Sequence, residues 1–388
     1  MRPVQAQKLE PFGTTIFSEM TRLAQERGAI NLSQGFPDFD GPEQLIRAAS
    51  RALNSGENQY ARSMGHPELV RAVADRRRAD HGLEYDPMEE VGVYSGATEG
   101  LAAAMLGMLN PGDEVVFFEP YYDSYPACAA LAGAKPRFVT LEAPDFRIRS
   151  EDLERAITPR TRLVVLNSPH NPTGRVFDTE ELEIVAELSL EHGLRVLTDE
   201  VYEYLVYDGA THVPLATLPG MRERTWSVSS LGKSYSVTGW KIGWATGPKD
   251  MIGAAQAAHQ FLTFATATPL QKAAAFALNT LRDDYLAEFS RDYLERRDFL
   301  VDALMRAGLS PFVPEGTYFV LADFTDVFEG SDVEFVRYLI DKVGIAAIPP
   351  TAFYTANPAA GSKLVRFAFC KTMDTLREAA RRLEAMGS

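Results

Sequence analysis

Arg162-Leu-Val-Val-Leu-Asn-Ser-Pro-His-Asn-Pro-Thr-Gly174 and Arg195-Val-Leu-Thr-Asp-Glu-Val-Tyr202 frame a segment, Glu180 to His192, whose apolar residues recur at helical spacing. Arg162 to Leu166 and Arg195 to Thr198 are short and nearly continuously apolar, as strands covered on both faces must be. Working outward, Val91 to Tyr94, Glu114 to Phe118 and Thr225 to Ser229 have the same character, and Glu99 to Leu109 reads as a further helix. From Val91 to Thr246, then, strand alternates with helix, the pattern of a mainly parallel sheet joined by crossover helices. The expected fold class is α/β, with the sheet sandwiched between helices.

Beyond this region comes a long helical stretch, Pro269 to Ala307. It is followed by a second αβ pattern with strands near Tyr318 to Ala322 and Leu364 to Ala368, and by a last helix from Asp374 to Met386. These form a smaller α+β C-terminal domain. The first 30 residues or so, ending in Asn31-Leu-Ser-Gln-Gly-Phe-Pro-Asp38, are rich in turn formers and read as an extended arm. The expected division is an arm over 1–40 packing on the small domain or a partner subunit, a large domain over 41–285 and a small domain over 286–388. Internal repeats and low-complexity tracts are not found.

The 388 residues carry a formal charge of −14, with 46% apolar and 24% charged residues. That composition suits a globular chain with a sizeable core. The acidic balance opposes capture of nucleic acid or anionic lipid, both of which need basic surface. Met1 to Phe12 lacks the apolar core of a signal peptide, and the apolar stretch Leu101 to Leu109 is far too short to span a bilayer. The expectation is a cytoplasmic protein without nucleic-acid or membrane partners. Cys128 and Cys370 read as buried free thiols, and the histidines form no short ligand spacing, so no metal is expected.

Four segments carry chemistry. In Ser229-Ser-Leu-Gly-Lys-Ser-Tyr-Ser-Val-Thr-Gly-Trp-Lys-Ile-Gly-Trp244, Lys233 stands among small residues just after a strand; a solvated loop lysine is one reading, and the other is a Schiff-base lysine, whose burial would lower its proton affinity and whose small neighbours would let a bulky cofactor approach the amine. Gly232-Lys-Ser234 is not the end of a phosphate-wrapping loop, because Ser227 stands where that motif needs glycine. Thr198-Asp-Glu-Val-Tyr202 puts Asp199 at a strand tip, where ligands of open α/β sheets gather; a buried carboxylate there calls for a cation. Asn167-Ser-Pro-His-Asn-Pro-Thr-Gly174 brings Asn171 toward Asp199 from the neighbouring strand. Ser95-Gly-Ala-Thr-Glu-Gly100 exposes amides at a helix N-terminus, a phosphate site, but lacks the dinucleotide Gly-x-Gly-x-x-Gly pattern.

Together with Gly13-Thr-Thr-Ile-Phe-Ser18, Asn31 to Pro42, Asn58-Gln-Tyr-Ala61, Glu315-Gly-Thr-Tyr-Phe319 and Val365-Arg-Phe367, these motifs make nearly the whole chain resemble a fold-type I, class I aminotransferase dependent on pyridoxal 5'-phosphate. The branch is that of kynurenine aminotransferases (glutamine transaminase K) and bacterial methionine aminotransferases. The resemblance implies a seven-stranded sheet and a homodimer with shared active sites. It implies Lys233 as the Schiff-base lysine and general base, Asp199 as partner of the pyridine nitrogen, and Asn171 and Tyr202 as donors to the phenolic oxygen. Tyr122 would stack on the ring. Gly96, Ala97, Thr98, Ser230 and Lys241 would hold the phosphate, with Tyr60 reaching in from the second subunit. Lys241 stands where many class I enzymes have arginine, which keeps the charge but gives up two-pronged geometry. Arg366 would clamp the substrate's α-carboxylate, with Gly35, Asn171, Phe17 and Phe353 beside it.

The implied reaction is ping-pong transfer of an α-amino group to a 2-oxo acid. Phe17, Tyr122, His259, Phe261 and Phe353 imply an apolar pocket, hence methionine, glutamine, or aromatic and kynurenine-like donors. Arg62, two residues after Tyr60, would instead suit a distal acid, as in N-succinyldiaminopimelate transamination. A cysteine-S-conjugate β-lyase would use the same residues. An aminotransferase-fold transcription regulator would need an N-terminal DNA-binding module, and the leader before Val91 has no basic recognition helix.

Overall fold

The computed structural model describes residues 4–13 and 16–386, the side chain of Phe17 excepted. After a short strand β1 (Ile30–Asn31), the chain forms β2 (Val91–Tyr94), β3 (Glu114–Glu119), β4 (Lys135–Thr140), β5 (Thr161–Asn167), β6 (Arg195–Asp199), β7 (Thr225–Ser230) and β8 (Gly243–Thr246). These seven make one sheet in the order β2-β8-β7-β6-β5-β3-β4. The β7-β6-β5-β3-β4 neighbours are parallel, while β8 runs antiparallel between β7 and β2. Consequently β2, β5, β6 and β7 all end at the same edge.

Period-two alternation explains why such apolar strands need two helical layers. In β3, Val115 and Phe117 pack against the helices Ala97–Met108, Ser124–Ala132 and Lys249–Leu262, whereas Val116 and Phe118 face Ser150–Ala156 and Thr179–Glu191. In β5, Leu163 and Val165 join the first layer, and Val164 and Leu166 the second.

Two strands of this sheet have no counterpart in the sequence expectation. β4 lies at the sheet edge with Lys135, Pro136 and Arg137 exposed, a polar and proline-bearing start that hides its pairing. β8 is four residues beginning at a glycine. The stretch Pro269 to Ala307 is two helices, Thr268–Thr280 and Asp283–Arg306; Arg282 leaves helical geometry, and the acidic pair Asp283-Asp284 favours a new N-terminus.

The smaller sheet is antiparallel, in the order β12-β10-β9, built from β9 (Ser310–Phe312), β10 (Phe319–Asp323) and β12 (Leu364–Ala368). A further strand, β11 (Ile345–Ala346), pairs in parallel with β1. The N-terminal segment is not simply extended. It contains the helix Ile16–Arg27, in which Ile16, Met20, Leu23 and Ala24 form one apolar stripe; Met20 and Ala24 are buried in the core of the smaller sheet. Both cysteines are buried free thiols. Among the described residues, no helix is long and apolar enough to cross a membrane.

Candidate active site

A cavity of about 360 Å³ opens where β2, β5, β6 and β7 end, its walls completed by Gln34 and Gly35 of the N-terminal segment and by Phe319 and Arg366 of the smaller sheet. At one corner Gly96 has φ +82°, and Ala97 begins a twelve-residue helix whose first amides point outward. A Cβ on Gly96 would stand 3.0 Å from Cε and Nζ of Lys241, so glycine lets that amine close on the helix terminus. Thr98, and Ser230 at the end of β7, line the same cavity. Small residues, a helix N-terminus and an ammonium give this corner the chemistry that suits a phosphate.

Asp199 lies across the cavity at the end of β6. Tyr125 donates its hydroxyl to Oδ2 at 2.8 Å, and the Val201 amide donates to Oδ1 at 3.3 Å. Burial pushes the carboxyl up to about 6, so it is short of a cation. Asn167, its register partner on β5, gives its amide to the Asp199 carbonyl at 2.8 Å and takes the Asn171 amide at 2.8 Å, fixing the turn that carries Asn171.

Lys233 stands in the short helix Leu231–Ser234 directly after β7. Burial lowers its amine to about 8, so a sizeable neutral fraction exists near neutrality. Nζ donates to the Tyr318 hydroxyl at 2.8 Å and to the Gly35 carbonyl at 3.5 Å, between the rings of Tyr202 and Tyr318. Gly35 admits no side chain, since a Cβ would meet the Phe319 ring at 2.5 Å. Burial raises the Tyr202 hydroxyl well above its ordinary value and that of Tyr122 to about 12, so both remain donors.

Arg366, on β12, is buried between the rings of Phe319 at 4.0 Å and Phe353 at 5.0 Å. Nη1 donates to Asn171 Oδ1 at 3.0 Å and Nη2 to the Ser33 carbonyl at 2.9 Å. With its oxygen so engaged, the Asn171 amide keeps its Nδ2 hydrogens for a ligand. Burial lowers the guanidinium to about 10, which leaves it charged at neutral pH.

Other expected residues lie elsewhere. Phe353 supports Arg366 from behind and does not line the cavity. His259 is a core residue, not a wall: Nδ1 meets Glu99 at 3.0 Å and its ring packs on Tyr94. Phe261 is 86% exposed, and Tyr60, 82% exposed, packs edge-on against Phe264 at the surface of its own chain. Arg62 is tied to the Met88 carbonyl at 3.0 Å and the Gly65 carbonyl at 3.4 Å. The Phe17 side chain lies outside the described residues. Sequence reasoning missed Tyr125, Asn167 and Tyr318 as individuals. Tyr125 stands three residues beyond Tyr122, and Tyr318 sits inside a quoted motif; both offer a signal only once their neighbours have roles.

A phosphate corner, a carboxylate lacking a cation and a readily deprotonated amine share one cavity; a phosphorylated pyridine aldehyde fits all three. Among the described residues, no three His, Cys, Asp or Glu side chains gather as metal ligands.

The family described as "Aminotransferase class I and II" matches residues 27–383. A probable N-succinyldiaminopimelate aminotransferase of Mycobacterium tuberculosis is 46% identical over 98% of each chain, and a solved N-succinyldiaminopimelate aminotransferase from that organism superposes with a TM-score of 0.96 over 98% of this chain and 100% of its own. Methionine aminotransferase of Escherichia coli is 40% identical over 98% of this chain and 97% of its own. Kynurenine–oxoglutarate transaminase of Dictyostelium discoideum is 39% identical over 95% and 93%. The chain therefore belongs to the class I and II aminotransferases, enzymes that transfer amino groups with pyridoxal phosphate.

Proposed function

We propose that the chain exchanges the α-amino group of a neutral amino acid with a 2-oxo acid, using Lys233 as anchor and proton carrier. The observation that carries this reading is the convergence of Lys233, Asp199 and Arg366 on one cavity. Bound pyridoxal phosphate supplies the carbonyl carbon that takes up amino groups and a ring that accepts electrons. Gly96, Ala97, Thr98, Ser230 and Lys241 hold its phosphate, Tyr122 covers the ring, and Asn171 and Tyr202 donate to its phenolic oxygen. Asp199 keeps the ring nitrogen protonated. Arg366 grips the α-carboxylate beside Gly35 and Asn171, which aims the α-hydrogen at Lys233 Nζ; that amine takes the proton and returns it during transfer.

The site division follows the chain: 41–285 carries the cofactor contacts, 286–388 with residues 1–40 the substrate clamp. We place the enzyme in the cytoplasm as a homodimer in which Tyr60, exposed on its own subunit, completes the partner's phosphate site.

Each cation lining the cavity has a role in this scheme, and Arg62 is held by two carbonyls. Nothing described in this chain repays desolvation of a second carboxylate, which favours methionine, glutamine or phenylalanine over aspartate. The kinship to N-succinyldiaminopimelate aminotransferases favours a second reading, in which the partner subunit delivers Arg62 to a succinyl group. Single-turnover rates over a panel of donors decide. The neutral donors should exceed aspartate by about tenfold in kcat/KM; a succinylated donor that wins, with its advantage erased by Arg62→Ala, overturns the first reading. Measuring pyruvate release in parallel separates β-elimination from amino transfer.

A further inference from the structure

Glu119 ends β3, and its side chain is fully buried. Its two oxygens take four hydrogen bonds. Oε2 accepts from the amides of Thr355 at 2.7 Å and Ala356 at 2.9 Å; Oε1 accepts from the Asn357 amide at 2.8 Å and the Thr140 hydroxyl at 2.8 Å. Three successive amides curled round an anion form a backbone nest. Two bonds from the next residue but one tighten the same seam: the Tyr121 amide donates to the Phe353 carbonyl at 2.9 Å, and the Tyr121 and Thr355 hydroxyls lie 2.6 Å apart.

The segment so gripped comes from the far end of the chain and begins at Phe353, whose ring holds one face of the Arg366 guanidinium. A fully buried carboxylate that takes four hydrogen bonds is held firmly, because its own oxygens would lose acceptance in a buried setting if the segment shifted. We infer that Glu119 is a positioning residue: by pinning residues 355–357 to the end of β3, it fixes Phe353 and, through it, the Arg366 fork that receives the substrate's carboxylate. This inference rests on the reading of Arg366 given above.

Glutamine at position 119 presents one acceptor oxygen and an amide that cannot accept, so at least one oxygen's pair of donors loses its partner. In the holoenzyme, Glu119→Gln should raise the Kd of 3-phenylpropionate, a carboxylate with no amine, by about tenfold, and the KM of phenylalanine and of a 2-oxo acid alike. kcat should stay within about threefold, and the cofactor's absorbance and its pH midpoint should not move. Glu119→Asp, which keeps the acceptors, should recover part of the loss. Phe353→Leu should weaken 3-phenylpropionate too, and its effect should not add to that of Glu119→Gln if both act on one fork. A folded Glu119→Gln enzyme that binds 3-phenylpropionate like the wild type, or additive effects of the two variants, would overturn the inference. If Glu119→Gln fails to fold, Phe353→Leu alone decides, since unchanged affinity there breaks the relay. Arg366→Lys is the control: weak carboxylate binding in it with none in Glu119→Gln condemns only the role of Glu119, whereas intact binding in Arg366→Lys condemns the reading of Arg366 itself.

Discussion

The hydroxyl of Tyr318 lies between Lys233 and Gly35, taking a hydrogen bond from the amine at 2.8 Å and donating one to the carbonyl at 2.5 Å. Lys233 is thus aimed by a residue of the smaller sheet and by backbone of the N-terminal segment. Tyr318→Phe should leave cofactor affinity intact and lower kcat by about tenfold, because a loosely held amine meets the α-hydrogen less often. An unchanged kcat would show that the amine needs no such aim.

Lys233 itself should be the point of covalent attachment. Borohydride reduction followed by peptide mass spectrometry should place the cofactor on Lys233, and Lys233→Ala should abolish both the adduct and amino transfer. In cofactor-free protein the amine, lowered by burial to about 8, should be labelled by an acylating reagent with a midpoint near that pH. Labelling with the midpoint of an ordinary lysine would contradict the buried setting.

Asp199 sets function against stability. Its carboxyl is raised from 3.8 to about 6, so the stability it contributes is fully present below the ordinary value and is lost as pH rises through 6. At pH 7.5 an uncompensated carboxylate should therefore cost the cofactor-free chain about 3 kcal/mol. Asp199→Asn should raise the Tm of cofactor-free protein at pH 7.5, with the gain fading below pH 4, while slowing amino transfer by orders of magnitude. Equal melting temperatures at pH 7.5 would argue that water relieves the charge.

Arg366→Lys should raise KM for every amino and 2-oxo acid by about tenfold or more, since a point charge cannot reproduce the fork that reaches Asn171 and Ser33. Steady-state kinetics on two unrelated donors test it. A rise confined to one donor would mean that Arg366 reads side chains.

Assembly has its own test. If Tyr60 completes the partner's phosphate site, sedimentation should find a dimer at working concentration, and Tyr60→Ala should weaken cofactor binding. Active monomer would count against shared sites.

The strands that set the sheet were legible because burial on both faces forces runs such as Arg162 to Leu166 to be apolar, and their tips then placed Asp199 and Asn171. The edge strand β4 was not, since its exposed start carries Lys135, Pro136 and Arg137. Asp199 and Lys233 could be read from their own surroundings, a strand tip and a crowd of small residues. Arg366 could not. Its setting is made by Phe353, Asn171 and Ser33, none near it in sequence, so only the family resemblance reached it. His259 was misread for a related reason: a helix position does not tell which side of the helix meets a cavity, and this side chain is buried against Glu99 and Tyr94.

The Arg366 to Ser33 hydrogen bond spans 333 residues, and β12 also takes its edge from the N-terminal segment, the Ala368 amide donating to the Leu32 carbonyl at 2.8 Å. On the ribosome, Ser33 and Gly35 emerge more than three hundred residues before the strand that locks them. The strands of the seven-stranded sheet, Val91 to Thr246, are all synthesised well before that point. A nascent chain stalled before Leu364 would therefore hold Lys233, Asp199 and Lys241 on a formed sheet while still lacking Arg366. The order of synthesis thus sets the residues of the large sheet in place before the arginine that shares their cavity.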